Sequence, residues 1–173
     1  MTITHRARAK SENFSYEGYG SSADAARRAL VAGFERHSQE FELQPDWVDE
    51  MSASIALIPI AAGASTFENF ELKPVGMALV TTDKQEAIAW RAFCEFHHPD
   101  FDWGYVDGFG ATEQLARDAL AAGLDAVMVA NAETRARKTA LIEEAEAYPV
   151  RNGAAYRGGL VQTDGEPLPD ARA

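Results

Sequence analysis

The chain has 173 residues, of which 46% are hydrophobic and 25% charged, and its formal net charge is −11. These proportions allow an ordinary folded core. So acidic a surface repels phosphate backbones, which sets direct nucleic-acid binding aside and favours a protein partner with a basic surface, although acidity also serves plain solubility. No apolar run reaches membrane-spanning length, and no apolar stretch follows the basic N-terminus as a secretory signal would. The lone Cys94 can form no internal disulfide, so a cytoplasmic chain without membrane contact is expected.

Residues 1–11 carry Arg6, Arg8 and Lys10 and are expected to form a basic N-terminal arm. From residue 12, ENFSYEGY mixes aromatic and polar side chains in near alternation and predicts a strand. Ser21 and Ser22 then offer N-caps, and Asp24 suits the first turn of a helix. Ala26, Ala29, Leu30, Gly33, Phe34, His37 and Phe41 follow at helical spacing. Pro45 ahead of Asp46, Asp49 and Glu50 predicts a second, short helix. Residues 55–60 are apolar, but Pro59 keeps them from a central strand. Strands around Phe70–Leu72 and over residues 75–81 should meet in a hairpin near Lys73-Pro74. Thr82 with Gln85 forms a capping-box pattern that predicts a helix to about Phe96, ended by Pro99. A strand over residues 101–109, a helix from Thr112 and a further helical stretch over roughly 132–147 complete the series. Residues 149–173, rich in Gly and Pro, read as a mobile tail.

The expected fold is α+β: an antiparallel or mixed sheet with helices packed mainly on one face, forming a single domain over residues 12–148. Its organising feature is a phrase written twice. EGYGSSADAARRALVAGF begins at Glu17, and DGFGATEQLARDALAAGL begins at Asp107. Gly18, Gly20, Ala26, Arg27, Ala29, Leu30, Ala32 and Gly33 recur as Gly108, Gly110, Ala116, Arg117, Ala119, Leu120, Ala122 and Gly123. Two repeat units, about 12–41 and 101–130, follow from this.

In each unit the paired glycines would supply positive φ where a strand turns into a helix capped by Ser22 or Thr112. Helix N-termini after glycines can hold anions, so Gly18, Tyr19, Gly20, Ser22, Gly108, Phe109, Gly110 and Thr112 are candidate ligand-binding residues for a nucleotide or small anion. The third glycine of a dinucleotide fingerprint and the lysine of a phosphate loop are missing, and Glu17 and Asp107 would repel a phosphate. Gly33 and Gly123 leave a smooth strip, with Ala29 and Ala119, for a sheet, a helix or a partner chain.

The run G-x-G-x-[ST]-x-x-x-A-R, at Gly18–Arg27 and Gly108–Arg117, resembles the last strand and helix of double-stranded RNA-binding domains and the strand-to-helix step of HicB-type antitoxins. The resemblance covers about ten residues in each copy and implies a related sheet-and-helix layout. The phosphate-holding lysines of the RNA-binding family are replaced by Ala23 and Asp24, then by Glu113 and Gln114.

Cys94, His97 and His98 stand at helical i, i+3 and i+4 and are the candidate metal ligands, with Asp100 or Asp102 to complete a set. The spacing matches no standard ligand pattern, and Cys94 between Phe93 and Phe96 reads equally as a core residue. Trp103 and Tyr105 alternate on one strand and are candidate interface anchors, together with Gly33 and Gly123. No catalytic motif, phosphate loop or cofactor fingerprint is present. The function expected is therefore non-catalytic: an acidic protein acting on a protein partner, for example a phage or mobile-element inhibitor occupying a nucleic-acid-binding surface, with homodimerisation compatible. The alternatives are a nucleotide- or anion-sequestering protein and a metal-dependent enzyme using Cys94, His97 and His98.

Overall fold

The computed structural model describes residues 2–12, 14–69, 74–79, 87–98, 101–127, 132–159 and 166–167. In chain order the first elements are β1 (His5–Lys10), β2 (Phe14–Gly20), α1 (Ala23–Glu40), α2 (Trp47–Ala53) and β3 (Ala56–Pro59). Next come β4 (Ala64–Asn69), β5 (Pro74–Leu79), β6 (Trp90–His98), β7 (Phe101–Gly110) and α3 (Glu113–Val127). The last are α4 (Ala132–Glu144), β8 (Glu146–Pro149), β9 (Ala155–Gly159) and β10 (Glu166–Pro167). The strands form two antiparallel five-stranded sheets, so the protein belongs to the α+β class. No helix among the described residues is long and apolar enough to cross a membrane.

Instead of the single domain expected over residues 12–148, the chain divides into two compact units. Unit 1 is Met1–Pro59 with Arg151–Ala173, and unit 2 is Ile60–Val150. Each has its own hydrophobic core, because each sheet carries its own amphipathic helix.

In unit 1 the strand order is β10-β9-β2-β1-β3. The N-terminal segment is not an arm. HRARAK alternates with period two, which places Ala7 and Ala9 in the core with Leu30 and Phe34. Arg6 and Arg8, on the other face of β1, are also buried. α1 starts where expected: Ser22 accepts the amide of Ala25 at 3.1 Å, and Ala26, Ala29, Leu30, Gly33, Phe34 and His37 are its buried stripe. β3, which contains Pro59, is the sheet edge, where a missing N–H is tolerated. Part of the expected tail is built into the sheet: β9 pairs with β2, matching Phe14 with Gly159 and Gly18 with Ala155.

Unit 2 has the order β5-β4-β7-β6-β8, with α3 over Ala92, Cys94 and Val106. The helix expected from Thr82 to Phe96 is not formed over its second part, because residues 90–96 belong to strand β6. Ala92 and Cys94 enter the core two residues apart, so burial at strand period overrides the local capping pattern. Thr82 and Gln85, and the turn near Lys73, lie outside the described residues.

The paired glycines also work differently from expectation. Positive φ occurs at Gly63 (76°) and Gly153 (78°), not in the repeated phrase. A Cβ on Gly18 would stand 2.7 Å from the Ala26 carbonyl oxygen and the Leu30 amide nitrogen, so a bare backbone is needed for the helix to lie on the strand.

Candidate functional site

His37 sits on the buried stripe of α1 and is 3% exposed. Two strands bring it polar partners. Tyr16 on β2 and Arg157 on β9 are opposite each other in the sheet register. The Tyr16 hydroxyl lies 3.2 Å from Nε2 of His37, and an Arg157 guanidinium nitrogen lies 2.8 Å from Nδ1. A guanidinium can only donate, so Nδ1 accepts. The ring proton of the neutral imidazole is thereby assigned to Nε2, facing the Tyr16 oxygen. Arg157 also reaches the Glu40 carboxylate at 3.5 Å.

Rings enclose this chain of polar groups. Trp47 stacks on His37 at 5.2 Å between centroids, and Phe14 meets it edge-on at 5.5 Å. The Arg157 guanidinium lies 5.3 Å from the ring centres of both Phe14 and Phe41. Burial pushes the His37 pKa below its ordinary value; Arg157 adds to this and Glu40 opposes it. Burial likewise pushes the Tyr16 phenol up, against the pull of Ser11 and Arg157. The result is a neutral imidazole locked between a donor, Arg157, and an acceptor, the Tyr16 oxygen, and closed to solvent. Such a group does not exchange protons with a substrate; it anchors the end of α1 to β2 and β9.

What the anchor holds is an exposed rim. Phe41 caps α1, donating its amide to the His37 carbonyl at 3.0 Å, yet its side chain is 48% exposed. Leu43 donates to the Ser38 carbonyl at 3.0 Å, closing a Schellman-type turn. The left-handed residue of that turn is Glu42, with φ of 49°, where glycine is usual. Glu40, Glu42, Asp46, Asp49 and Glu50 are all exposed around it. Arg27 ties the two helices together by donating to the Ser52 carbonyl at 2.8 Å.

A second kind of polar cluster recurs in both units. In unit 1, Arg6 meets Glu17 at 3.4 Å, and Tyr19 donates to the same carboxylate at 2.8 Å. In unit 2, Arg91 pairs with Asp107, which also accepts from Thr66 at 3.3 Å, and Arg91 reaches Tyr148. Arg6 stands opposite Tyr19 in its sheet as Arg91 stands opposite Phe109.

The residues singled out from sequence fall as follows. Gly18, Tyr19 and Gly20 are buried in unit 1, and Gly108, Phe109 and Gly110 in unit 2, the glycines closed against helix backbone. Ser22 and Thr112 are exposed caps whose hydroxyls accept the amides of Ala25 and Leu115. Gly33 is buried on α1, and Gly123 packs α3 onto Ser65 of β4. Tyr105 is fully buried, so it is not an exposed anchor, and the side chain of Trp103 lies outside the described residues. Cys94, His97 and His98 share strand β6, which removes the helical face that joined them. Burial, with Asp107 and Glu95, pushes the Cys94 thiol up to about 12.

Sequence spacing does not group Tyr16, His37 and Arg157, because 120 residues separate His37 from Arg157. A signal existed. The ninety-residue offset of the repeated phrase also matches Pro59 with Pro149, Gly63 with Gly153 and Ala64 with Ala154. Continued, it sets Val106, Val127 and Phe67 against Tyr16, His37 and Arg157. Compared with protein-family models, curated proteins and solved structures, the chain matches none.

Proposed function

We propose that the protein is a non-catalytic binding protein, built from two copies of one unit of about ninety residues, in which the first copy docks a basic protein partner on the rim around Phe41. Support for the duplication comes from several parallels. The two sheets have the same order, with β10-β9-β2-β1-β3 answering to β5-β4-β7-β6-β8. Ser22 and Thr112 cap the equivalent helices, and Arg27 and Arg117 donate to backbone carbonyls shortly before β3 and β8, the edge strands of the two sheets. The turns at Gly63 and Gly153 both hold glycine at positive φ, 76° and 78°.

One observation carries the functional reading. At the ninety-residue offset, Glu40, Phe41, Glu42, Asp46, Asp49 and Glu50 correspond to Ala130, Asn131, Ala132, Ala136, Thr139 and Ala140. Within the described residues, α4 thus carries Ala136, Thr139 and Ala140 where the first copy carries Asp46, Asp49 and Glu50. One side of the Phe41 ring packs on His37 and Arg157, but half of its surface stays open beside exposed Glu40 and Glu42, and an aromatic anchor with a charged rim is how interfaces are built. Among the described residues, four arginines (Arg6, Arg8, Arg91 and Arg157) but only two carboxylates (Glu17 and Asp107) are buried, which shifts the balance of the described surface toward acid. An inhibitor that occupies a nucleic-acid-binding surface is the version of this reading that such a surface fits.

The test compares two variants with equal charge removed. One carries Glu40→Gln, Glu42→Gln, Asp46→Asn and Glu50→Gln; the other carries Glu113→Gln, Asp118→Asn, Glu143→Gln and Glu144→Gln. Binding of an arginine-rich peptide at low salt should weaken about tenfold more in the first than in the second. Equal losses would reduce the effect to net charge and remove the assignment of the rim.

A further inference from the structure

Unit 1 is closed by a segment that reaches it only after all of unit 2 has been traversed. The chain leaves unit 1 at Pro59 and returns at Arg151. Unit 2, by contrast, is continuous over Ile60–Val150, and its equivalent hairpin β4–β5 precedes the strands it covers. The returning segment supplies β9 to the side of β2, where Ala155–Gly159 pair with Phe14–Gly18. Without it, β2 would present a bare hydrogen-bonding edge.

The contacts that hold the segment in place are made to residues 14–41. Tyr156 meets the Tyr19 ring at 5.7 Å, and Arg157 engages His37, Glu40, Phe14 and Phe41. None of these partners needs to belong to the same molecule. The joint between the segment and unit 2 is the exposed turn Arg151-Asn152-Gly153, where a Cβ on Gly153 would meet nothing within 4 Å.

We propose that residues 151–159 are an exchangeable closing segment, and that the partner they fit is a second copy of this chain. Each copy lends its β9 to the β2 edge of the other, replacing each closing contact by the same contact in trans. The exchange is reciprocal and closes as a two-fold dimer. It differs from docking on the Phe41 rim and stands without it. Docking in cis must bring residues 14–18 and 155–159 together across the length of unit 2, and at high concentration a second copy competes for that edge.

The test uses the full chain refolded from denaturant at rising concentration. A dimer of doubled mass should appear in increasing fraction, and should persist on dilution because separation requires β9 to leave β2. Ser15 and Gly158 face each other across this pair. A Ser15→Cys, Gly158→Cys variant, also carrying Cys94→Ala and made in two differently tagged forms, should give a disulfide-linked mixed dimer from the dimer fraction and an internal disulfide from the monomer. If the unmodified chain stays monomeric at millimolar concentration, the proposal fails. It also fails if the dimer fraction of the variant yields only internally bridged monomers on a denaturing gel without reductant.

Discussion

Arg157 donates a hydrogen bond to Nδ1 of His37 at 2.8 Å, although the two residues lie 120 positions apart in the chain. That bond fixes the tautomer of a buried imidazole and, through it, the end of helix α1. Its removal should be costly. Arg157→Ala leaves Nδ1 buried without a donor and strips two aromatic rings of their cation, for an expected loss of roughly 2–4 kcal/mol in urea unfolding. The triple change Tyr16→Val, His37→Val and Arg157→Phe, which installs the residues found ninety positions away, should cost less than Arg157→Ala alone. An apolar set leaves no polar group stranded.

The pH dependence follows from the same imidazole. Unfolded, His37 binds its proton near the ordinary 6.5; folded, it binds only at lower pH. Between those two values the unfolded state holds more protons, so stability falls as pH drops below 6.5 and stays level above it as far as this group is concerned. The groups facing the ring are Arg157, Glu40 and the Tyr16 hydroxyl; only Glu40 favours the charged form. In His37→Gln this part of the slope should vanish, measured as the difference between the unfolding free energies of variant and parent across the acid range.

Glu42 holds a left-handed backbone conformation that glycine adopts without strain. Glu42→Gly should therefore raise stability by about 1 kcal/mol while weakening the arginine-rich peptide. A gain in melting temperature with binding unchanged would assign Glu42 no part in docking.

Gly123→Ala inverts the usual helix rule. Alanine favours a helix over glycine by about 1 kcal/mol. Here the new methyl would stand 2.6 Å from Cβ of Ser65 and 3.0 Å from a methyl of Val106. Thermal unfolding should show a net loss of about 1–3 kcal/mol.

Cys94, raised to about 12 and buried, should resist thiol reagents at mildly alkaline pH in the folded protein and react fully once unfolded. Rapid labelling of the native protein would contradict its placement under α3.

Much of the fold was legible in the sequence where one periodicity dominated. The buried stripe from Ala26 to His37 and both capping residues, Ser22 and Thr112, stand where helical spacing and cap chemistry put them. Reading failed where a local cue competed with burial. The capping box at Thr82 suggested a helix, but Ala92 and Cys94 were wanted two apart in a core. The arginines of HRARAK suggested a solvated arm, but the alanines between them were the informative residues. The site was less legible still, since Tyr16, His37 and Arg157 come together only through a strand supplied by the end of the chain.

The most direct measurement of the central claim is a hydrogen-exchange footprint of the arginine-rich peptide on the full chain. Added protection should concentrate between Ser38 and Ala53, over the end of α1 and all of α2. Protection centred on the equivalent stretch after Val127, or spread evenly over both units, would contradict a docking surface confined to the first copy.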